Sequence, residues 1–533
     1  MKTVVKIKNI LGGLSPSEYY AGAGQYLGGL AIDPDTAISD AAGDVLTCGM
    51  IRPTSYASFS GANISGNPLW ILTNPKDSNT YVYAADGKLV SYTSALTSAS
   101  EVLIGTVSSS QGNGAVYYNN YLYLMSSTDV ARYGPLNGTP ALTASVWTSS
   151  TLGTQTALTN TTYPTIFGSG TMPNHPGHVH ADNKLYFVDF KDGIGYVHYI
   201  KTTKTTNEGD TNSGSTYNAL DLPFGFMPTD VESYGDLVVI SGMQTSNGTI
   251  AQGQATIFFW DTISASFINP VPLPDAVVTA LKNVNGTLYI FSGPGFGKGY
   301  RVSKYAGGYK TETIYFSEEG SPPLAGAVDA FGDKLVWGSH MQLSTTTAAS
   351  PEYYPVVMAY GSKDPRIAMG VHPIAKPPVN GTSTDGVVTA VKYVEQDSFA
   401  IPRVVMGYRN ASVTEMAKRS TTYGAWVWRA PVISVGAQFT IKQIRLQLAV
   451  PVSANTTITP TIFLDDKSSS EVGGTAAGLK IINNTNFPNS DRFIFWQVDI
   501  KGKGNFFLEL RGSGTAICPV VLPIIFVLDV VGD

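Results

Sequence analysis

Asn285–Gly293 reads NGTLYIFSG, a turn dipeptide followed by a strand of leucine, aromatic and β-branched residues. An Asn-Gly pair supplies the positive φ that a two-residue hairpin turn requires, and the run behind it has the composition of a buried strand. The unit recurs on both sides: NNYLYLMSS at Asn119–Ser127, DNKLYFVDF at Asp182–Phe190, YGDLVVISG at Tyr234–Gly242 and FGDKLVWGS at Phe331–Ser339. A fainter copy, DGKLVSYTS, stands at Asp86–Ser94. With the leucine as marker (Leu89, Leu122, Leu185, Leu237, Leu288, Leu335), the steps are 33, 63, 52, 51 and 47 residues. Propeller blades of four short strands recur at roughly 40–50 residues, and the later steps fit that period. The 63-residue step requires an insertion, which the Ser/Thr-rich stretch Thr143–Thr162 can supply. A further copy is placed at Gly386–Tyr408, where VVTAVKYV and FAIPRVVMGY have strand composition. The expected fold is therefore all-β, with a β-propeller of about seven blades. An ordinary β-sandwich whose turns coincide by chance is the competing reading.

The composition of the 533 residues points the same way. It has 55 Gly, 31 Pro, 29 Tyr and 22 Phe with only 14% charged residues, a balance that suits many turns and strands, and no stretch sustains helical periodicity with caps. The net charge of -5 offers nucleic acid no bulk electrostatic attraction. The two cysteines, Cys48 and Cys518, stand near opposite ends of the chain, so no disulfide framework is expected, and two buried thiols are favoured over a bridge. The opening MKTVVKIKNILGG carries Lys6 and Lys8 where a secretory signal needs an apolar stretch. Ile517–Val531 is the most apolar segment, but it is shorter than a membrane span and contains Pro519, Pro523 and Asp529. It reads as a buried terminal strand pair, and the expectation is a soluble protein made in a cytoplasm.

The chain divides into three parts on this reading. Residues 1–43 form a Gly-rich extended arm whose Tyr19, Tyr20, Tyr26 and Leu27 call for docking on its own propeller or a neighbouring subunit. Residues 44–430 form the propeller, with the polar stretch Lys201–Asn218 exposed and a Pro-rich connection between Gly370 and Gly386. Residues 431–533 form a C-terminal β-sandwich, jelly-roll-like in its strand content. In VISVGAQFTIKQIRLQLAV, Phe439 and Ile441 share one phase, and Ile444, Leu446, Leu448 and Val450 the other. That slip at Lys442–Gln443 is the mark of a β-bulge. In FIFWQVDI, Ile494, Trp496, Val498 and Ile500 make one apolar face.

The run VGAQFTIKQIRLQLAVPVSANTTITPTIFLDD, with INNTNFPNSDRFIFW and NFFLELRGSGTAICPVVLPIIF, resembles the C-terminal modules of tailed-bacteriophage virion proteins. The GG-rich opening and the propeller-like repeats look like the N-terminal parts of the same proteins. The two ends cover roughly a quarter of the chain directly, and no catalytic signature is among these patterns. The resemblance implies a non-enzymatic structural component of the virion, in the tail, tail tip or nozzle. It further implies assembly in the host cytoplasm. The low charge and the high Tyr, Gly, Ser and Thr content suit large permanent interfaces, so a ring-like homo-oligomer in contact with other tail proteins is expected.

Little in the chain reads as a catalytic or cofactor site. The densest metal-like cluster is His175, His178 and His180 in NHPGHVH, where His178 and His180 would share a strand face. No carboxylate accompanies it, and a polar surface or channel-facing cluster is the plainer reading. The carboxylate pairs Asp189/Asp192 and Asp465/Asp466 are adjacent in sequence only, and the Ser-x-Asp-x-Gly-x-x-Trp turns of sialidase propellers are absent in good form. Gly293–Tyr300, GPGFGKGY, follows a strand but precedes no helical pattern, so it reads as a hairpin. The Asn-x-Ser/Thr triplets at Asn137, Asn247, Asn285 and Asn380 read as turns. Trp70, Tyr117 and Tyr118 can stack on sugars or pack between blades. No catalytic residue, cofactor or metal is expected. The alternative function, from the propeller alone, is binding of a host cell-surface glycan or receptor, or glycan hydrolysis.

Overall fold

The structure, a computed structural model, describes residues 1–531 except 9, 11, 16–24, 33–37, 40–44, 47–49, 52–53, 76–77, 108–113, 127–129, 148–174, 202–215, 247–248, 251–252, 344–351, 362–369, 379–385, 398–401, 411–412, 421–423, 465–470, 474–477, 489–491 and 517. Seven antiparallel sheets of four strands follow one another, the fourth with an extra two-residue strand. Their first strands are Pro68–Thr73, Gly114–Tyr118, Gly177–Val179, Phe226–Tyr234, Val277–Val284, Val328–Phe331 and Val387–Val394, and residues from all seven line one central cavity. The molecule is thus a seven-bladed β-propeller, as the repeat spacing predicts. The turn dipeptides close the first hairpin of their sheets: Asn285 and Gly286 hold φ of 48° and 82°, the left-handed geometry that favours Asn and Gly. Leu122, Leu185 and Leu288 behind these turns are fully buried in second strands, where truncation to alanine typically costs about 2–5 kcal/mol.

Two elements differ from the repeat reading. DGKLVSYTS forms the third strand of the first sheet, Lys88–Tyr92, because its Asp-Gly turn closes the second hairpin rather than the first. The second strand of that sheet is Thr80–Ala84. The Pro-rich segment after Gly370 contains Val371–Ala375, the outermost strand of the sixth sheet, a position where Pro373 removes no ladder bond that the sheet needs. The insertion expected at Thr143–Thr162 falls mostly outside the described residues, and so do Tyr19, Tyr20, Cys48 and Lys201–Asn218 for the greater part.

The ring closes between the seventh and first sheets. Tyr56–Ser58, which precedes the first sheet in the chain, is the fourth strand of the seventh. The Phe59 N–H donates to the Met416 carbonyl at 3.0 Å and the Thr389 hydroxyl to the Pro68 carbonyl at 2.6 Å. Gly407 lies so close to the Pro68 ring that a Cβ there would stand 2.5 Å from it, which reserves the position for glycine. Ile71, Val82 and Val90 pack with Ala390, Val394 and Val405 in one apolar cluster across this junction.

By packing, the chain forms two compact units, Ser58–Met341 with Ser383–Lys418, and Met1–Ala57 with Gln342–Thr382 and Arg419–Asp533. The second unit holds a nine-stranded sheet whose main strand order is Lys2–Ile7, Val520–Val531, Ile433–Leu448, Phe493–Gly514, Trp426–Arg429, Gly28–Leu30. Phe493–Gly514 pairs along its first half with Ile433–Leu448 and along its second with Thr456–Leu464. The sheet thereby folds over on itself in a sandwich-like form, with Phe506 meeting Phe439 and Phe526 at ring separations of 5.2 and 5.4 Å. The register shifts between Ile441 and Gln443 on both sides of Ile433–Leu448. This bulge is where the alternation slips, and it keeps Phe439, Ile441, Ile444, Leu446 and Leu448 all buried. Val450 lies beyond the strand end and is exposed. The apolar C-terminal segment forms one strand of twelve residues rather than a pair. Strands from the Gly-rich opening stand at both ends of the order, and Tyr26 is buried with its hydroxyl 3.0 Å from His372 Nδ1. Buried Cys518 donates its thiol to the Val450 carbonyl, and burial pushes its pKa up to about 12.

Candidate functional site

The first strands of the propeller each bring one residue to the central cavity, two positions before the last cross-strand pair of the first hairpin in six sheets and one position before it in the third. Sheets one and two supply Ile71 and Val116. The other five supply His178, Glu232, Lys282, Asp329 and Lys392, each of them lining a cavity of about 310 Å³. Neighbours in this ring pair across sheets. His178 Nε2 lies 3.1 Å from Glu232, Lys282 3.7 Å from the other Glu232 oxygen, and Lys392 3.0 Å from Asp329. The Glu232 and Asp329 side chains are only 6% exposed, against 26% for Lys282 and 33% for Lys392, so the lysine is the more open member of each pair.

Backbone bonds fix the acids. The Asp329 carboxylate accepts the Tyr393 N–H at 2.9 Å, and Asp230 accepts the Leu281 N–H at 2.7 Å as well as that of Val231. Each carboxylate thus staples one first strand to the next. Burial pushes the Asp230 carboxyl up to about 8, against those N–H bonds, with Glu232 adding to the rise. Burial lowers the His178 pKa and the Glu232 charge only partly offsets it. Burial also works against the Lys282 ammonium, yet the surrounding Glu232, Asp329 and Asp230 hold its pKa above the ordinary value. The ring thus sets two acidic side chains, Glu232 and Asp329, against two basic ones, Lys282 and Lys392, with His178 beside Glu232.

A signal for this ring stands in the sequence. In VESYGD, LKNVNG and VDAFGD a charged residue interrupts an apolar strand three positions before the turn. Attention to the turn and the strand behind it passes over the strand in front.

The three histidines separate into two settings. His178 and His180 both reach the first strand of the fourth sheet, His180 through Nδ1 to the Ser233 hydroxyl at 2.8 Å. His175 is buried inside the third sheet, where Nδ1 donates to the Val188 carbonyl at 2.9 Å and lies 3.5 Å from Asp189. His198 flanks Asp189 on its other side at 3.4 Å. Asp189 is therefore an internal partner of two histidines, while Asp192 occupies an exposed turn with φ of 53°. Among the described residues no group of three His, Cys, Asp or Glu side chains is arranged to hold a metal ion. Asp465, Asp466, Asn247 and Asn380 lie outside the described residues. Gly293–Tyr300 connects the second and third strands of the fifth sheet. Trp70 and Tyr117 line the cavity, whereas Tyr118 bridges sheets two and three through its hydroxyl to the Asn183 carbonyl.

A second surface belongs to the C-terminal sheet. On its open side the register aligns Phe495 with Arg445 and Ile525, Phe493 with Gln447 and Val521, and Val4 with Val527 and Gln443. Phe493 is 74% exposed, Val4 55% and Phe495 47%. The Arg445 guanidinium lies 5.4 Å over the Phe495 ring. Lys2 faces Asp529 on the same side.

No family model matches the chain, and no curated protein matches it in sequence. Solved structures match as propellers. The WD40 domain of Neurospora crassa Pan2 aligns at 10% identity with a TM-score of 0.39, over 68% of this chain and 94% of that one. The β-propeller domain of Myceliophteria thermophila Cps50 (Swd1) gives 9% and 0.39, over 68% and 99%. The WD40 propeller of Doa1 gives 10% and 0.38, over 69% and 98%. The likeness is one of fold. No helix among the described residues is long and apolar enough to cross a membrane.

Proposed function

We propose that the protein is a non-enzymatic structural component of a bacteriophage virion, in the tail or tail tip, and that its copies meet through the open side of the C-terminal sheet. The observation that carries this reading is the pair Phe493 and Phe495, exposed on one face of the sheet with Val4 on the same face beyond two intervening strands. A strand face turned to water ordinarily carries polar residues, and a contiguous apolar patch on it marks an interaction surface. The aromatic and arginine content, with Arg445 over Phe495, is that of an interface centre, and Lys2 and Asp529 suit its polar rim. The sequence resemblance to tail proteins runs within Val435–Phe526 and so covers the strand segments that carry Phe493, Phe495, Arg445 and Ile525, while Lys2–Ile7 lies outside it. The propeller serves in this reading as a rigid disc, with the Asp230 and Asp329 carboxylates stapling the fourth blade to the fifth and the sixth to the seventh.

The test is immunogold electron microscopy of purified virus particles from the strain carrying this reading frame, with antibody raised against residues 431–533. Label at one fixed place on the tail, in constant number, is the expected result. Unlabelled particles with the protein left in the soluble lysate would overturn the reading.

A further inference from the structure

We propose that the central cavity of the propeller binds one neutral polyhydroxylated ring, a single hexose unit. This goes beyond a role in assembly and does not depend on it. The cavity, about 310 Å³, lies within the range of small-ligand sites and admits one sugar ring. Its wall is divided. Five sheets present the charged ring from His178 to Lys392, and the other two present Ile71, Val116 and the aromatic residues Trp70 and Tyr117. A pyranose has the matching asymmetry, with a C–H face that packs on apolar and aromatic surface and a rim of hydroxyls.

The charges select against ions. An anion drawn to Lys282 and Lys392 would meet Glu232 and Asp329 beside them, and a cation drawn to the acids would meet the lysines. In either case one charge would stay unbalanced beside a partly apolar wall, which is costly. Hydroxyl groups both donate and accept, and so fit a wall on which donors and acceptors alternate. Each ammonium has three donors: Lys392 commits one to Asp329, and Lys282 stands 3.7 Å from Glu232, so both retain donors toward the lumen.

The experiment is saturation-transfer NMR on the full chain with glucose, galactose and mannose, and with glucuronate and glucosamine as charged controls. At least one neutral hexose is expected to bind saturably with Kd of about 1 mM, in line with the efficiency of small ligands, and at least tenfold more tightly than its charged counterparts. Lys392→Met should weaken binding at least tenfold. Ala325→Leu narrows the same cavity without removing a charge and should give the same loss, so it decides the matter if the lysine variant fails a folding check by circular dichroism. Absence of saturable binding by all three neutral sugars would overturn the proposal. So would preference for glucuronate or glucosamine, or undiminished binding by Ala325→Leu.

Discussion

The strand Val277–Val284 turns Lys282 into the centre of the propeller, whereas Phe493–Gly514 turns Phe493 and Phe495 out to solvent. The first strand puts a charge where a core residue is expected, and the second puts aromatic rings where polar residues are expected. Both depart from the alternation that otherwise governs these strands. The departures have different supports. Lys282 is held by carboxylates from neighbouring sheets, so its placement strengthens the fold. Phe493 has no comparable cover, since 74% of it meets solvent. Departures of this kind concentrate where a protein binds something, and here they mark a polar lumen and an apolar face as separate surfaces.

The bulge of Ile433–Leu448 sets the second departure, and its removal should have the largest effect. Deleting Gln443 shifts the strand by one residue and turns Ile444, Leu446 and Leu448 toward the open side in place of Arg445 and Gln447. The expected outcome is loss of the cooperative unfolding transition of the C-terminal sheet in calorimetry. A variant that melts like the wild type would show that the bulge does not set the register.

Next in size is the charged ring. Glu232→Ala removes the shared partner of His178 and Lys282 and leaves a half-buried lysine without its nearest counter-charge. Urea denaturation should show a loss of about 1–3 kcal/mol. A loss below about 1 kcal/mol would mean that the ring is solvated as an exposed ion pair is.

Asp230→Asn sharpens the comparison through pH. The Asp230 pKa is raised in the folded protein, so the folded state holds a proton that the unfolded state has released. Its stabilising contribution is complete below the ordinary carboxylate pKa and is lost as pH rises toward about 8. Relative to Asp230→Asn, the wild type should therefore lose stability between pH 5 and 8, by at most about 1.4 kcal/mol per pH unit. Parallel profiles for the two proteins would show that Asp230 is ionised in the fold.

Much of this architecture was legible in the sequence. Asn285–Gly286 and the runs behind the other turns located five second strands, and Lys442–Gln443 located the bulge, because turn chemistry and strand phase are local properties. Two features were not legible, and a third was legible only in part. Asp86–Gly87 marked a later hairpin of its sheet, since one turn type serves every hairpin in a blade. Lys2–Ile7 joins Ile524–Asp529 from the far end of the chain, a pairing that no local pattern announces. The ring of His178, Glu232, Lys282, Asp329 and Lys392 emerges only when five strands are superposed on their hairpins.

The smallest expected change in stability belongs to the surface that carries the functional reading. Phe493→Ser with Phe495→Ser removes exposed rings and should alter the stability of a single subunit by no more than about 0.5 kcal/mol per site. The decisive measurement is therefore native mass spectrometry of the wild type beside this double variant at micromolar concentration. A closed homo-oligomer for the wild type and a folded monomer for the variant is the predicted pair of results. A monomeric wild type, or an oligomer that both proteins form alike, would contradict assembly through the open face of the C-terminal sheet.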